Sequence, residues 1–190
     1  MSDELRNRRV AFLTANEGVE QVELTSPWEA VERAGGEPRL VAPESGRVQA
    51  FHHLDRADTF EVDLTTAEAG LGDLDAIVLP GGVANADKLR TDGPAVELVR
   101  LAFETGRPVA VICHGAWTIV EAGVLRGRTL TSYPSLRTDI TNAGGTWVDE
   151  EVVVCENGPN ALVSSRHPGD LPAFEARLVE VFAAAGVRSR

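Results

Sequence analysis

Cys113 is the side chain of this 190-residue sequence best placed to act as a nucleophile. It ends an unbroken apolar run, Val109-Ala110-Val111-Ile112, and is followed by His114, Gly115 and a helical pattern. Such a run reads as a central strand of a parallel sheet, buried on both faces. A cysteine at its carboxyl end lies where open α/β sheets place their ligands. The tight strand-to-helix turn has the form of a nucleophile elbow, which lifts one side chain above the sheet. A helix starting at Gly115 aims its unpaired N–H groups and positive dipole end at the sulfur, which favours thiolate.

Two further loops are expected to meet Cys113-His114 above the sheet, because each follows a strongly apolar strand. One holds Glu17, the natural carboxyl partner for a thiol. Beside a thiolate in a desolvated cleft it must stay protonated, since two adjacent anions cannot both persist there. A protonated Glu17 then donates a hydrogen bond to sulfur. The other loop holds Gly81-Gly82, whose N–H groups can join that of His114 as an oxyanion site. His114 needs an acidic orienter to serve as a base, and Asp87 in Ala86-Asp87-Lys88 is the candidate. Cys155 falls on an expected hairpin outside the apolar core and reads as incidental. The adjacent His52 and His53 have no Cys or acidic ligands at metal-site spacing, so they are expected in a loop or a subunit contact, and no metal or cofactor is expected.

The elements that must position these residues alternate in type. Strands are expected at 9–14, 38–42, 75–79, 109–112 and 129–132, with short hairpin or edge strands at 48–51 and 59–62. Helical patterns cover 27–34, where Ser26 reads as N-cap and Pro27 as the first turn, then 85–90, 94–104, 115–122, 135–142 and 170–185. A hairpin around Asn157-Gly158 joins 151–155 to 161–164. Alternation at this spacing implies a doubly wound α/β sheet with antiparallel additions, in one domain over residues 1–190. Trp28, Trp117 and Trp147 are expected in the core or at subunit contacts.

Composition narrows the function classes. Asp and Glu number 29 against 18 Lys and Arg, a formal charge of -11. That field disfavours nucleic acid and anionic membrane, whose phosphates must be met by clustered cations. No apolar run approaches the roughly 20 residues that span a bilayer. The start, MSDELRNRRVAFL, has no apolar region of signal-peptide length, and two cysteines suit a reducing compartment; a cytoplasmic protein is expected.

The segments FLTANEGVEQVEL (12–24), AIVLPGG (76–82), PVAVICHG (108–115), AGVLRGRTLTSYPSL (122–136), NAGGTWVDEEVVV (142–154) and LVSSRHPGDLPAF (162–174) together resemble the ThiJ/PfpI superfamily. Within it they resemble the PfpI-type intracellular peptidases and general stress proteins, nearly end to end and in order. The resemblance implies a flavodoxin-like three-layer α/β/α sandwich with a mainly parallel central sheet, related to class I glutamine amidotransferases. It implies Cys113 as nucleophile, Glu17 as its hydrogen-bonding carboxyl, and His114 completed by an acidic residue of a neighbouring subunit, where Asp87 stands here. It further implies homodimers, or hexamers built from them, acting on peptide bonds or on α-oxoaldehydes and their protein adducts. His167-Pro168 is followed by Gly169 and not by the Glu of true amidotransferases, which disfavours that triad. A second reading from a different class, redox sensing or chaperone-like protection through oxidation of Cys113, also suits a low-pKa thiol beside a protonated carboxyl.

Overall fold

A computed structural model describes residues 3–185. Met1 and Ser2, part of the start read for a leader, and the last residues of the expected 1–190 domain lie outside the described residues. In chain order the elements begin with β1 (Arg9–Leu13), β2 (Glu17–Glu20), α1 (Gln21–Arg33), β3 (Glu37–Ala42), β4 (Arg47–His52), β5 (Asp55–Glu61) and β6 (Leu64–Thr65). They continue with β7 (Ala76–Leu79), α2 (Val83–Leu89), α3 (Gly93–Thr105), β8 (Val109–Ile112) and α4 (Ala116–Glu121). The last are β9 (Thr129–Leu130), α5 (Arg137–Asn142), β10 (Thr146–Trp147), β11 (Val152–Cys155), β12 (Leu162–Ser165) and α6 (Leu171–Ala184).

Seven strands form one sheet in the order β11-β12-β8-β7-β1-β3-β6. All its pairs are parallel except β11 with β12. The β-branched runs AIVL and VAVI of β7 and β8 are buried at every position, as expected of strands covered on both faces. One cover is α1 with α6, where Leu24, Val31, Phe174, Leu178 and Phe182 pack on Val10, Phe12, Val78 and Ile112. The other is α3 with α4, where Leu98, Val99, Phe103 and Ile119 pack on Ala11, Leu13, Ile77, Leu79 and Val111. The result is the expected three-layer sandwich. From β1 the chain goes to β3 on one side and later to β7 on the other, so a crevice opens at the carboxyl ends of these strands.

Local chemistry explains the helix ends. Asp92 accepts a hydrogen bond from Ala95 N (3.0 Å) and caps α3, with Pro94 in the first turn and left-handed Gly106 after it. The first helix departs from expectation. Residues 17–20 form β2, which pairs with β4 in a small second sheet, and α1 then runs through Ser26 and Pro27 to Arg33. Pro27 therefore sits inside the helix, and Ser26, instead of capping, donates to Glu175 on α6. Cys155 also departs: it is buried at 4% exposure within the core, and its sulfur accepts from Thr129 N.

Candidate active site

Cys113 follows β8 in a backbone conformation rare for a side-chain-bearing residue, with φ at 60°. That left-handed elbow costs about 1–3 kcal/mol and is held by its neighbours. The turn Cys113–Gly115 is one 3₁₀ turn, and α4 begins only at Ala116. Gly115 lets this turn lie against the end of β7, because a Cβ there would come within 2.6 Å of Leu79 O. The sulfur itself is almost buried. The N–H groups of His114 and Gly82 hydrogen-bond it.

The carboxyl beside the thiol is Glu23, not Glu17. Glu23 projects from the first turn of α1, is fully buried, and accepts from Gly81 N at 2.8 Å. Its Oε1 is buried with no hydrogen-bond partner among the described residues. Burial pushes the Glu23 carboxyl up to about 8, against the pull of the Gly81 N–H and the Cys113 thiol, so it carries a proton at neutral pH. Glu17 stands on β2 at the cleft mouth, paired with Lys88 Nζ (2.8 Å) and Arg56 (3.3 Å). The hydrogen bond and charge of Lys88 hold the Glu17 carboxyl below its usual range. It is ionised, exposed and committed to two cations, which is the opposite of the protonated partner expected.

Strand position singles out Glu17 and not Glu23, because only Glu17 follows an apolar strand. A signal was present: in α1, Glu23 shares the buried face with Leu24, Pro27, Ala30 and Val31. A carboxylate on the apolar stripe of a helix demands an explanation.

The diglycine turn divides its labour differently from expectation. Gly81 N–H is consumed by Glu23, so the N–H groups aimed at sulfur are those of Gly82 and His114. A Cβ on Gly81 would lie 2.6 Å from Cys113 Cβ, and Gly82 holds φ at 92° against the backbone of Gly18. No side chain fits at either position.

His114 Nδ1 lies 3.2 Å from Cys113 Sγ, so adjacency in the chain does bring the imidazole to the thiol. Burial pushes its pKa below the ordinary histidine range, leaving a neutral ring. The ring stacks on Tyr133 (4.6 Å between centroids) and meets the edge of Trp117 (5.3 Å). Its Nε2 faces Ser135 Oγ at 3.4 Å. Asp87 does not orient His114 within this chain; it pairs with Arg90 at 2.7 Å and lies on the cleft wall. The cleft is about 960 Å³ and is lined also by Lys88, Leu54, His53 and His167. His53 sits in the β4–β5 turn with its N–H on Glu20. No group of three or more Cys, His, Asp or Glu residues suited to a metal occurs among the described residues.

Burial pushes the Cys113 thiol up, and the charge of Glu23 pushes the same way, opposed by the N–H groups of His114 and Gly82. The helix dipole alone therefore does not produce the thiolate, contrary to expectation. A proton on Glu23 removes its opposing charge and offers the sulfur a donor. The elbow thus brings together a buried thiol, two N–H donors and a buried carboxyl.

The model of the DJ-1/PfpI family matches residues 8–181. The chain belongs to that family. It is 43% identical over 173 residues to Deglycase PfpI of Pyrococcus furiosus, covering 91% of this chain and 98% of that protein. Protein/nucleic acid deglycase 2 of Escherichia coli is 34% identical over 178 residues, covering 94% and 99%. Among solved structures, a two-domain protein of Anabaena variabilis with DJ-1/ThiJ/PfpI-like and ferritin-like domains superposes at a TM-score of 0.83 with 31% identity. That match covers 96% of this chain and 52% of the two-domain chain. The family fold is the sandwich described above, and among the described residues no helix is long and apolar enough to cross a membrane.

Proposed function

We propose that this family member is a cysteine-dependent deglycase or glyoxalase, acting on α-oxoaldehydes and their adducts on proteins. One observation carries the reading: the buried Glu23 carboxyl, held by Gly81 N–H, and the N–H groups of His114 and Gly82 converge on the sulfur of Cys113. That arrangement stabilises a thiolate without adding a second anion. With a free aldehyde, the Cys113 sulfur adds to the aldehyde carbon, the carbonyl oxygen takes the thiol proton, and a hemithioacetal forms. With a protein adduct, the sulfur displaces the side-chain amine from that carbon, the amine leaves with the thiol proton, and the same hemithioacetal forms. The proton on that carbon then passes to the neighbouring carbonyl carbon while the hydroxyl proton passes to the neighbouring oxygen, which gives the thioester of a hydroxy acid. The aldehyde carbon is oxidised and the ketone carbon reduced within one molecule, so no outside oxidant is needed. Water then releases the acid and restores the thiol. His114 Nδ1, at 3.2 Å from sulfur, carries the proton between these steps. The cleft of about 960 Å³ admits an adduct borne on a protein side chain as well as a free aldehyde. The deglycase names of the relatives from Pyrococcus furiosus and Escherichia coli support the same substrate class.

Peptide hydrolysis makes a heavier demand, because an amine must leave with a proton. In this reading Asp87 supplies the missing acid to His114 of a neighbouring subunit in a homodimer or hexamer, in a cytoplasm that keeps both cysteines free. Asp87→Ala is expected to keep methylglyoxal turnover and abolish peptidase turnover. Equal loss of both would defeat this division, and a species of only 20.3 kDa in sedimentation would remove the cross-subunit role. The decisive experiment is Cys113→Ala assayed against methylglyoxal and methylglyoxal-modified protein. Unchanged turnover would overturn the catalytic reading.

The contact of Glu23 with Cys113 also favours a redox reading, since a protonated carboxyl can hold an oxidised sulfur. Mass spectrometry after mild peroxide tests it: no oxygen at Cys113 rules it out.

A further inference from the structure

Asn85 lies on α2, completely buried, and is not among the residues that reach the cleft. Its side-chain amide is nevertheless fully used. Oδ1 accepts from Ala15 N at 2.7 Å. The two Nδ2 hydrogens go to successive carbonyls of the diglycine turn, Pro80 O at 3.0 Å and Gly81 O at 2.9 Å.

The direction of these bonds matters, because the C=O and N–H of a trans peptide point opposite ways. The Pro80 carbonyl belongs to the same peptide unit as the Gly81 N–H, which donates to Glu23 Oε2. The Gly81 carbonyl belongs to the same unit as the Gly82 N–H, which hydrogen-bonds the Cys113 sulfur. Drawing both carbonyls toward α2 therefore turns both N–H groups toward the reacting centre. The turn has no side chain of its own to fix it. Backbone anchors on the turn are Glu20 N on Gly81 O, at 3.3 Å, and Ala86 N on Gly82 O, at 3.0 Å.

We propose that Asn85 is a positioning residue of the cysteine centre, holding two carbonyls of the diglycine turn so that Gly81 N–H faces Glu23 and Gly82 N–H faces Cys113. One buried amide thereby orients both the carboxyl and the donor on which a sulfur anion depends. Ala15 N, bound by the same side chain, ties the end of β1 into the unit. The inference rests on Cys113 being the nucleophile, but its test reads the thiol directly and needs no substrate.

The experiment compares the pH dependence of Cys113 alkylation by iodoacetamide, followed by mass spectrometry, in wild type, Asn85→Ala and Asn85→Asp. Asn85→Asp is the same size and keeps the acceptor for Ala15 N, so it carries the test where Asn85→Ala does not fold. Loss of the turn's donors is expected to raise the alkylation midpoint by about one pH unit. Turnover with methylglyoxal is expected to fall in kcat with KM nearly unchanged. Leu98→Ala, a core truncation on α3, serves as the control: it lowers Tm without moving the midpoint. If the Asn85 variants lower Tm and leave the midpoint at the wild-type value, Asn85 is only a packing residue and the proposal falls. A shifted midpoint in a protein that turns over no carbonyl substrate would retain the positioning role and remove the proposed function.

Discussion

Glu17 Oε2 and Lys88 Nζ lie 2.8 Å apart at the mouth of the cleft, while Glu23 occupies the floor beside the thiol. The pairing separates two carboxylates only six residues apart into opposite protonation states. Lys88 keeps Glu17 ionised, and burial keeps Glu23 neutral. Substituting the two should therefore have unequal effects. Glu17→Gln is expected to change kcat/KM for methylglyoxal by no more than about threefold, since exposed ion pairs contribute little. Glu23→Leu removes the donor to sulfur and is expected to cost on the order of 10²-fold or more. Steady-state kinetics on the two variants decide it, and equal losses would return Glu17 to the centre.

The raised pKa of Glu23 has a thermodynamic consequence. An unfolded chain releases this proton near 4.5, whereas the folded protein holds it to about 8. Between those values the unfolded state binds fewer protons, so stability falls as pH rises. The contribution is fully present below the unfolded value and lost as pH passes the folded one. Tm measured from about pH 5 to about pH 9 should decline more steeply in wild type than in Glu23→Gln, by the equivalent of a few kcal/mol. Parallel curves would show that Glu23 ionises normally.

His114 is held neutral by burial. Its protonation is therefore expected below the ordinary midpoint of about 6.5, and the acid limb of kcat should lie below that value. His114→Asn cannot relay a proton from sulfur. It is expected to lose turnover by about 10²–10⁴-fold while Cys113 remains open to alkylation. Loss of both together would point to a collapsed site.

A methyl group on Gly81 would press on the Glu23 carboxylate and on Cys113 Cβ. Gly81→Ala is expected to cost about 1–3 kcal/mol of stability and to displace the pair it separates. Differential scanning calorimetry gives the first effect, and the Cys113 alkylation profile the second. An unchanged profile would mean the turn can yield without disturbing the sulfur.

Much of this was legible in the chain. The β-branched runs at 76–79 and 109–112 mark strands covered on both faces, the strand-to-helix turn places Cys113 at a carboxyl edge, and the helical pattern over 94–104 falls within α3. These are local or periodic signals, and burial on both faces of a sheet writes them directly into the residue types. What the sequence could not decide is which of several polar residues points inward. Glu17 and Glu23 differ by six positions, and their assignment depends on residues 17–20 leaving α1 to pair with β4. That long-range pairing turns Glu17 toward Lys88 and gives Glu23 to the buried face of the helix. The Asn85 amide likewise has no local signature, because its partners come from two loops, one after β1 and one after β7. By itself the sequence determined the sheet and the elbow that carries Cys113. Only the tertiary structure decided the protonation of the carboxyls and the direction of the N–H groups, since both follow from desolvation and contacts between segments distant in the chain.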